Sequence, residues 1–152
     1  MISPELLRRY TFFAGFSNDE LRDLAMAARE QSLPAGATLF TEGTPADILY
    51  FLIDGEMETL LDTEGVDMPL STLPAGEPLG WSALIEPHLY TASARATREC
   101  RVIGFARSDL ARRLDDPHFS SVIMRRLAEV ISRRLQDAQV QLLSVTATAS
   151  HA

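Results

Sequence analysis

A short segment between two strand-like runs carries the most specific chemistry in this sequence. It consists of Gly80, Trp81, Ser82, Ala83 and Leu84. The glycine before it and Glu86-Pro87 after it predict a single helical turn over Trp81–Ile85. The first N–H groups of a helical turn have no partner within the turn, so they can hold an anion inside the fold. The alternative is a capped turn that binds nothing.

Other reactive residue types lack the partners that catalysis or metal binding needs. The three histidines, His88, His118 and His151, have no ligand spacing, so no metal site is expected. Cys100 is the only cysteine; it is either a redox sensor or, more simply, a small core residue. All 14 basic residues are arginine, which excludes lysine chemistry. No nucleophile elbow, phosphate loop or zinc-protease motif is present, so we do not expect an enzyme.

Length and charge limit the remaining classes. The 152 residues suit one domain, and the net charge of -7 argues against binding to nucleic acid or to an anionic membrane surface. The first residues lack a signal-peptide pattern, and no apolar run reaches the ~18–20 residues of a membrane span. We therefore expect a single cytoplasmic domain without a membrane segment.

The elements around the turn predict a mainly β fold with flanking helices (α+β). Residues 1–30 are expected to be helical, because Ser3-Pro4 and the Ser17/Glu20 pair have helix-capping spacing. From 31 to 107, glycines at intervals separate short strands, as in an antiparallel sandwich or barrel. The apolar run Ile48–Ile53 is expected to be the most buried strand. The predicted strands are Ala37–Thr41, Ile48–Ile53, Met57–Leu61, Met68–Leu73, Thr91–Thr97 and Arg101–Ala106.

C-terminal helices are predicted over 108–143, with one long helix over 116–143 that Asp116 and Pro117 begin. A helix of this length needs a packing partner, which favours a homodimer over a helix folded back on its own domain. The expected dimer residues are Ile123, Leu127, Ile131, Leu135, Ala138 and Leu142. Arg133-Arg134 are read as a solvated face with an ion pair to Asp137 at helical spacing. Residues 144–152 are expected to form a flexible tail.

With these elements in order, the sequence resembles the cyclic-nucleotide-binding domain of catabolite activator/Fnr-type regulators. The resemblance covers about residues 5 to 143. Its most specific parts are the glycine after the apolar strand and the G-x-x-A-L segment. The matching stretches are Phe12–Phe16, Glu42–Asp47, Leu49–Gly55, Gly80–Leu84 and Arg133–Gln136. The resemblance implies a jelly-roll-like β-roll (double-stranded β-helix) whose phosphate cassette spans 79–92 and whose long C-terminal helix forms a dimer.

The sequence departs from that family where the ligand's charge is held. The family cassette reads roughly F-G-E-x-A-L, then R-[ST]-A; here Trp81 stands at the glutamate and Tyr90 at the arginine, while Thr91 still matches. The base-contacting pair corresponds to Ala138 and Gln139. Losing the buried charge partner costs on the order of 2–5 kcal/mol, and losing the carboxylate costs ~1–3 kcal/mol more; together they remove much of the ~8 kcal/mol of micromolar binding.

A replacement charge is not evident in the cassette. Arg95 lies five positions after Tyr90 and is expected on the opposite strand face. Trp81 and Tyr90 either line an aromatic pocket for a flat ligand or fill the old pocket with core.

Two functions follow. The first is a homodimeric regulatory module with an altered small-molecule ligand. The second is an interaction module with a self-filled roll, no small ligand and a protein partner. No cofactor can be named, and the residues after Leu143 are too few for the helix-turn-helix domain of full-length relatives.

Overall fold

Two four-stranded antiparallel sheets face each other to form a roll. The computed structural model describes residues 2–150, and side chains through residue 147. The sheets have the orders β1-β8-β3-β6 and β2-β7-β4-β5. The strands are β1 (Arg29–Leu33), β2 (Thr38–Phe40), β3 (Ile48–Asp54), β4 (Glu56–Thr63), β5 (Val66–Pro74), β6 (Pro78–Leu79), β7 (Ser93–Ala96) and β8 (Cys100–Ala106). The predicted fold class, a mainly β roll with flanking helices, is confirmed.

Helices flank the roll at both ends of the chain. They are α1 (Pro4–Arg8), α2 (Asn18–Ala27), α3 (Arg107–Arg113) and α4 (Pro117–Ser150), with 3-10 turns at Thr11–Phe13 and Trp81–Leu84. The predicted caps are present: Ser3 caps α1, and Ser17 and Glu20 form the reciprocal capping box of α2. Asp116 accepts from the backbone N–H of His118, so it caps α4 as expected. None of the helices within residues 2–150 has the apolar length that crossing a bilayer requires.

Strand prediction failed at two places and misjudged burial at a third. β1 was partly assigned to the N-terminal helices and β6 was missed. β1 has four exposed residues and no β-branched side chain, so its sequence has little strand propensity. Its extended conformation comes from pairing with β8. β8, not β3, is the most buried strand, with five buried residues of seven against four of seven in β3. The expectation for Ile48–Ile53 was wrong because Ile48 and Tyr50 are only partly covered.

Two apolar clusters hold the roll together. One lies between the sheets and includes Leu52, Met57 and Val102. The other joins the first sheet to the helices, where Phe13 meets Phe51 edge-on with ring centroids 4.9 Å apart. The alternating side chains of β3 contribute to both clusters, as the two faces of a covered strand must. The helices are therefore part of the core and not an attached layer.

Helix α4 has one face on its own domain and another left open. Phe119, Ile123, Leu127 and Val130 are buried against this chain. The prediction that Ile123 and Leu127 form a dimer interface is therefore wrong, because their side chains are already covered. Of the remaining predicted interface residues, Leu135 and Leu142 are 58% and 67% exposed.

The open face follows a regular spacing of four and three residues. Its members are all apolar: Met124, Ala128, Ile131, Leu135, Ala138, Leu142 and Val145. This is the 3.5-residue repeat of a coiled-coil seam. The helix also runs to Ser150, past the predicted end at 143, because neither glycine nor proline interrupts it. The flexibility predicted for 144–152 stays a prediction, and residues 151–152 lie outside the described part.

Glu20 ties the start of α2 to the start of α4. Its carboxylate accepts from the Ser17 backbone N–H at 2.8 Å and contacts His118 Nδ1 at 2.8 Å. Burial raises the pKa of Glu20, but the hydrogen bonds from Ser17 and His118 outweigh it, so the pKa is lowered from 4.5. A lowered carboxyl pKa stabilises the fold above the unfolded value, and that contribution is lost as pH falls through the folded value.

We expect Glu20→Gln to lower the free energy of unfolding by about 1 kcal/mol at pH 7. The difference from the wild type should shrink below about pH 4, as Glu20 itself becomes protonated. Urea unfolding followed by circular dichroism at both pH values measures it. The matched control is Glu5→Gln in α1, whose carboxylate is 72% exposed and pairs only with Arg8. Equal stability of the Glu20 variant and the wild type at pH 7 would contradict the prediction.

Candidate ligand site

Two adjoining cavities lie between the roll and α4. The inner one, at the turn Trp81–Leu84, has a volume of about 50 Å³, enough for water but not for a nucleotide. The outer one, between the β4–β5 hairpin and α4, has a volume of about 640 Å³. The residues that line both are Thr59, Trp81, Thr91, Ala92 and Arg134. Space for an organic ligand is therefore next to the cassette and not inside it.

Gly80 allows the chain to turn tightly over the inner cavity. Its φ of 75° is in the left-handed region. A Cβ at this position would lie 2.8 Å from Tyr90 Cε1 and 3.3 Å from the Ile48 carbonyl oxygen. The glycine is thus required both by its conformation and by the closeness of the Tyr90 ring.

Tyr90, which the resemblance predicts at the position of the family's arginine, is part of the core. It is 6% exposed, its ring stacks on Phe40 at 4.0 Å, and its hydroxyl donates to the Ile48 carbonyl at 2.7 Å. Burial raises the pKa of Tyr90 to about 12, so the phenol is neutral at physiological pH. The cassette holds a neutral, fully engaged ring where the family pattern has a charge.

Arg134 is the charged group of the site, and the sequence analysis did not predict it there. Its guanidinium carbon lies 4.6 Å from the ring centroid of Trp81. Its side chain is 20% exposed, so the prediction of a solvated face is wrong at this residue. It pairs with Glu77 at 3.2 Å, not with Asp137 as expected, because its stem lies on the face that continues the buried stripe.

The surroundings of Arg134 are unusual for a cation. Its Nη2 donates to Glu77 and to the Pro78 carbonyl, whereas its buried Nε has no acceptor among the described residues. Burial lowers the pKa of Arg134, the Glu77 carboxylate opposes this, and the neighbouring Arg133 adds to the lowering. A guanidinium remains charged at such sites, so the wall of both cavities carries a positive group.

The predicted site residues divide into three groups. Gly80, Trp81, Ser82, Tyr90 and Thr91 line the inner cavity, and Ala138 lines the outer one. Ala83 is buried in the core, and Leu84 packs against it. Gln139 is exposed, on another face of α4 from the cavity.

The residues that sequence reasoning missed lie at regular intervals on α4. Arg134, Asp137 and Gln141 line the outer cavity beside Ala138, which was predicted. They continue the spacing of three and four residues that begins at Phe119, and extending that stripe past Val130 would have found them. As expected, Arg95 points away from the cassette; its Nε donates to Glu58 at 2.9 Å.

Known proteins match this architecture. The family model for the cyclic nucleotide-binding domain matches residues 30–116, more than half of the chain. The chain belongs to this family. The match extends from β1 to the residue before α4, and so includes the cassette turn.

Three relatives show the range of proteins that contain such a domain. A putative cyclic nucleotide-binding protein of Geobacter metallireducens has a solved structure that is 35% identical, with a TM-score of 0.80, covering 89% of this chain and 99% of that one. Glutaminase 1 of Bradyrhizobium diazoefficiens is 36% identical over 87% of this chain. A CRP-like cAMP-activated global transcriptional regulator of Mycobacterium tuberculosis is 28% identical over 87%. The chain spans only 21% of the glutaminase and 58% of the regulator.

Tyr90→Phe tests whether the phenol is a structural group. It keeps the ring but removes the donor to Ile48, leaving a buried carbonyl unpaired, so we expect a loss of about 1–2 kcal/mol in the free energy of unfolding. Because the pKa of Tyr90 is raised in the folded state, the phenol contributes stability below pH ~10, and this contribution is lost as pH rises toward 12. The free energy of unfolding of the variant should therefore fall less steeply than that of the wild type over this range. Urea unfolding measures both effects. Unchanged stability at pH 7 would argue against the structural role.

Proposed function

We propose that this chain is a regulatory ligand-sensing module that does not bind cAMP in the manner of its family. The observation that carries the proposal is the Tyr90 ring, which occupies the cassette and donates its only proton to Ile48. With about 50 Å³ left beside it, the inner cavity has no room for a cyclic phosphate. The outer cavity, about 640 Å³, is large enough for a drug-sized ligand.

Charge supports the same proposal. A phosphate enclosed in a roll needs a paired cation, since an uncompensated buried charge costs many kcal/mol. Trp81 removes the carboxylate that would accept a ribose hydroxyl, and Tyr90 removes the arginine that would pair with phosphate. The two changes occur together, as expected if the inner subsite has been abandoned as a unit. We propose that the module acts in the cytoplasm.

We also propose that two copies pair through the open seam of α4. The seven apolar seam residues run along about 30 Å of helix, and large side chains such as Leu135 and Leu142 are more than half exposed. Beyond Val130, the large seam side chains Leu135, Leu142 and Val145 bury little of their surface against their own domain. A second copy offers the same face, so a two-fold interface between identical helices would cover it.

An interaction module with a self-filled roll is the second candidate. The buried Tyr90–Phe40 stack favours it, as does the relative in which a similar domain is one part of a longer glutaminase. In this case the chain would act by binding a protein partner, without a small ligand. Binding of a small ligand in the outer cavity would favour the sensing module over the interaction module.

Restoring the two charges tests the proposal for cAMP. We expect the wild type to show no thermal shift with millimolar cAMP, and the double variant Trp81→Glu, Tyr90→Arg to gain one. Binding at a hundredfold excess over Kd adds about 2.7 kcal/mol of stability, which such an assay detects. The single variant Trp81→Glu is the control, because without the arginine it should stay unresponsive. Tight binding of cAMP to the wild type would refute the proposal.

The seam predicts the effect of charged substitutions on assembly. We expect the wild type to sediment as a dimer at micromolar concentration and Leu142→Asp to weaken association at least tenfold, because it buries a carboxylate in an apolar interface. Leu143→Asp is the matched control: Leu143 is equally exposed, at 69%, but lies off the seam. Analytical ultracentrifugation measures the masses. A wild-type monomer at every concentration would rule out the dimer.

A further inference from the structure

We propose that the outer cavity binds an amphipathic organic anion, and that Arg134 of α4, instead of the cassette turn, receives its charged group. This inference rests on the proposed sensing function and names the ligand class. It moves the anion from the cassette turn to the long helix.

The unused donor of Arg134 is the first support. Its Nε is buried and has no acceptor among the described residues, although Nη2 has two. A buried donor without a partner costs about 1–3 kcal/mol, so such groups are rare unless something else satisfies them. Arg134 lines both cavities and its side chain is 20% exposed, so an anion in the outer one can reach the guanidinium; a small shift of the side chain would then give the covered Nε its acceptor.

The balance of charge beside the cavity is the second support. The single carboxylate of Glu77 pairs with two arginines, Arg134 and, at 3.1 Å, Arg133. One positive charge of this group is therefore not balanced by Glu77. Asp137 is the carboxylate on the cavity wall, one turn beyond Arg134. A ligand that fits both groups carries an anion and a hydrogen-bond donor, as hydroxylated aromatic acids do.

The remaining wall fits an apolar body. The apolar residues that line the cavity are Leu61, Leu70 and Leu73 of the hairpin, Val140 of the helix and Trp81. A site that is mostly apolar with a few polar groups is the usual form of a small-molecule pocket. A flat ring system can contact the leucines while its anion meets Arg134 at the Trp81 end.

A pair of fluorescent probes tests the inference. 1-Anilinonaphthalene-8-sulfonate is an aromatic anion, and N-phenyl-1-naphthylamine is the same molecule without the sulfonate. Trp81 is the only tryptophan of the chain, so energy transfer from it reports binding at this site. We expect the anionic probe to bind the full wild-type chain about tenfold more tightly than the neutral one, as one charge-assisted hydrogen bond provides.

Variants assign the difference to Arg134. Arg134→Met should remove the preference for the anion, and Arg134→Lys, which keeps the charge and guards against a folding defect, should retain part of it. Arg125→Met is the matched control: it removes the same charge from an exposed position of α4 and should keep the tenfold preference.

Four outcomes would overturn the inference. Equal binding of the two probes, or a preference that survives Arg134→Met, would show that the cavity is occupied without using this arginine; the sensing function would stand. Binding only to the Leu142→Asp variant would show that a second copy fills the cavity. If neither probe nor any nucleotide altered Trp81 fluorescence in any variant, the sensing function itself would fail as well.

Discussion

The contact between Arg134 and the edge of the roll determines how the helix, the cassette and the candidate site fit together. The guanidinium lies against the Trp81 ring on one side and against Glu77, just before β6, on the other. These contacts extend the buried stripe of α4 beyond Val130 and so set the rotation of the helix about its axis. Because one face is committed to the roll, the coiled-coil spacing has to lie on the next face. A helix rotated by one residue would lose both the Arg134 contacts with the roll and the outward position of the seam.

The same contact explains how the two cassette substitutions are tolerated. A neutral phenol in the position of a buried arginine leaves no unpaired charge, and its hydroxyl finds a carbonyl acceptor in Ile48. The carboxylate that pairs with Arg134 comes from Glu77, four positions before Trp81, and the Trp81 ring adds a cation–π contact. The site therefore still holds a positive and a negative group, but they are Arg134 of α4 and Glu77.

Local signals predicted the parts of the fold whose causes are local. The Ser17/Glu20 box, the cap at Asp116 and the helical turn after Gly80 each depend on residues within a few positions of one another. β1 could not be found in this way, because its polar residues form a strand only when β8 provides the partner. Arg134 was missed for another reason: two adjacent arginines on a helix are equally polar, so only the spacing of the buried stripe distinguishes them before the helix is docked. The spacing of the buried stripe that begins at Phe119 predicts a covered position at Arg134. A search for apolar residues alone ends that stripe at Val130.

The outer cavity and the seam share two turns of one helix. Arg134, Asp137 and Gln141 face the cavity, Leu135 and Leu142 face outward, and Ala138 belongs to both sets. A helix is stiff over this distance, so a ligand that draws Arg134 away from Glu77 moves the seam by the same rotation. Under the proposed dimer, occupancy of the cavity and pairing of the two copies are therefore coupled, and the coupling is reciprocal. A sensing module built in this way transmits a signal through its own helix, because the ligand and the second copy contact adjacent faces of the same two turns.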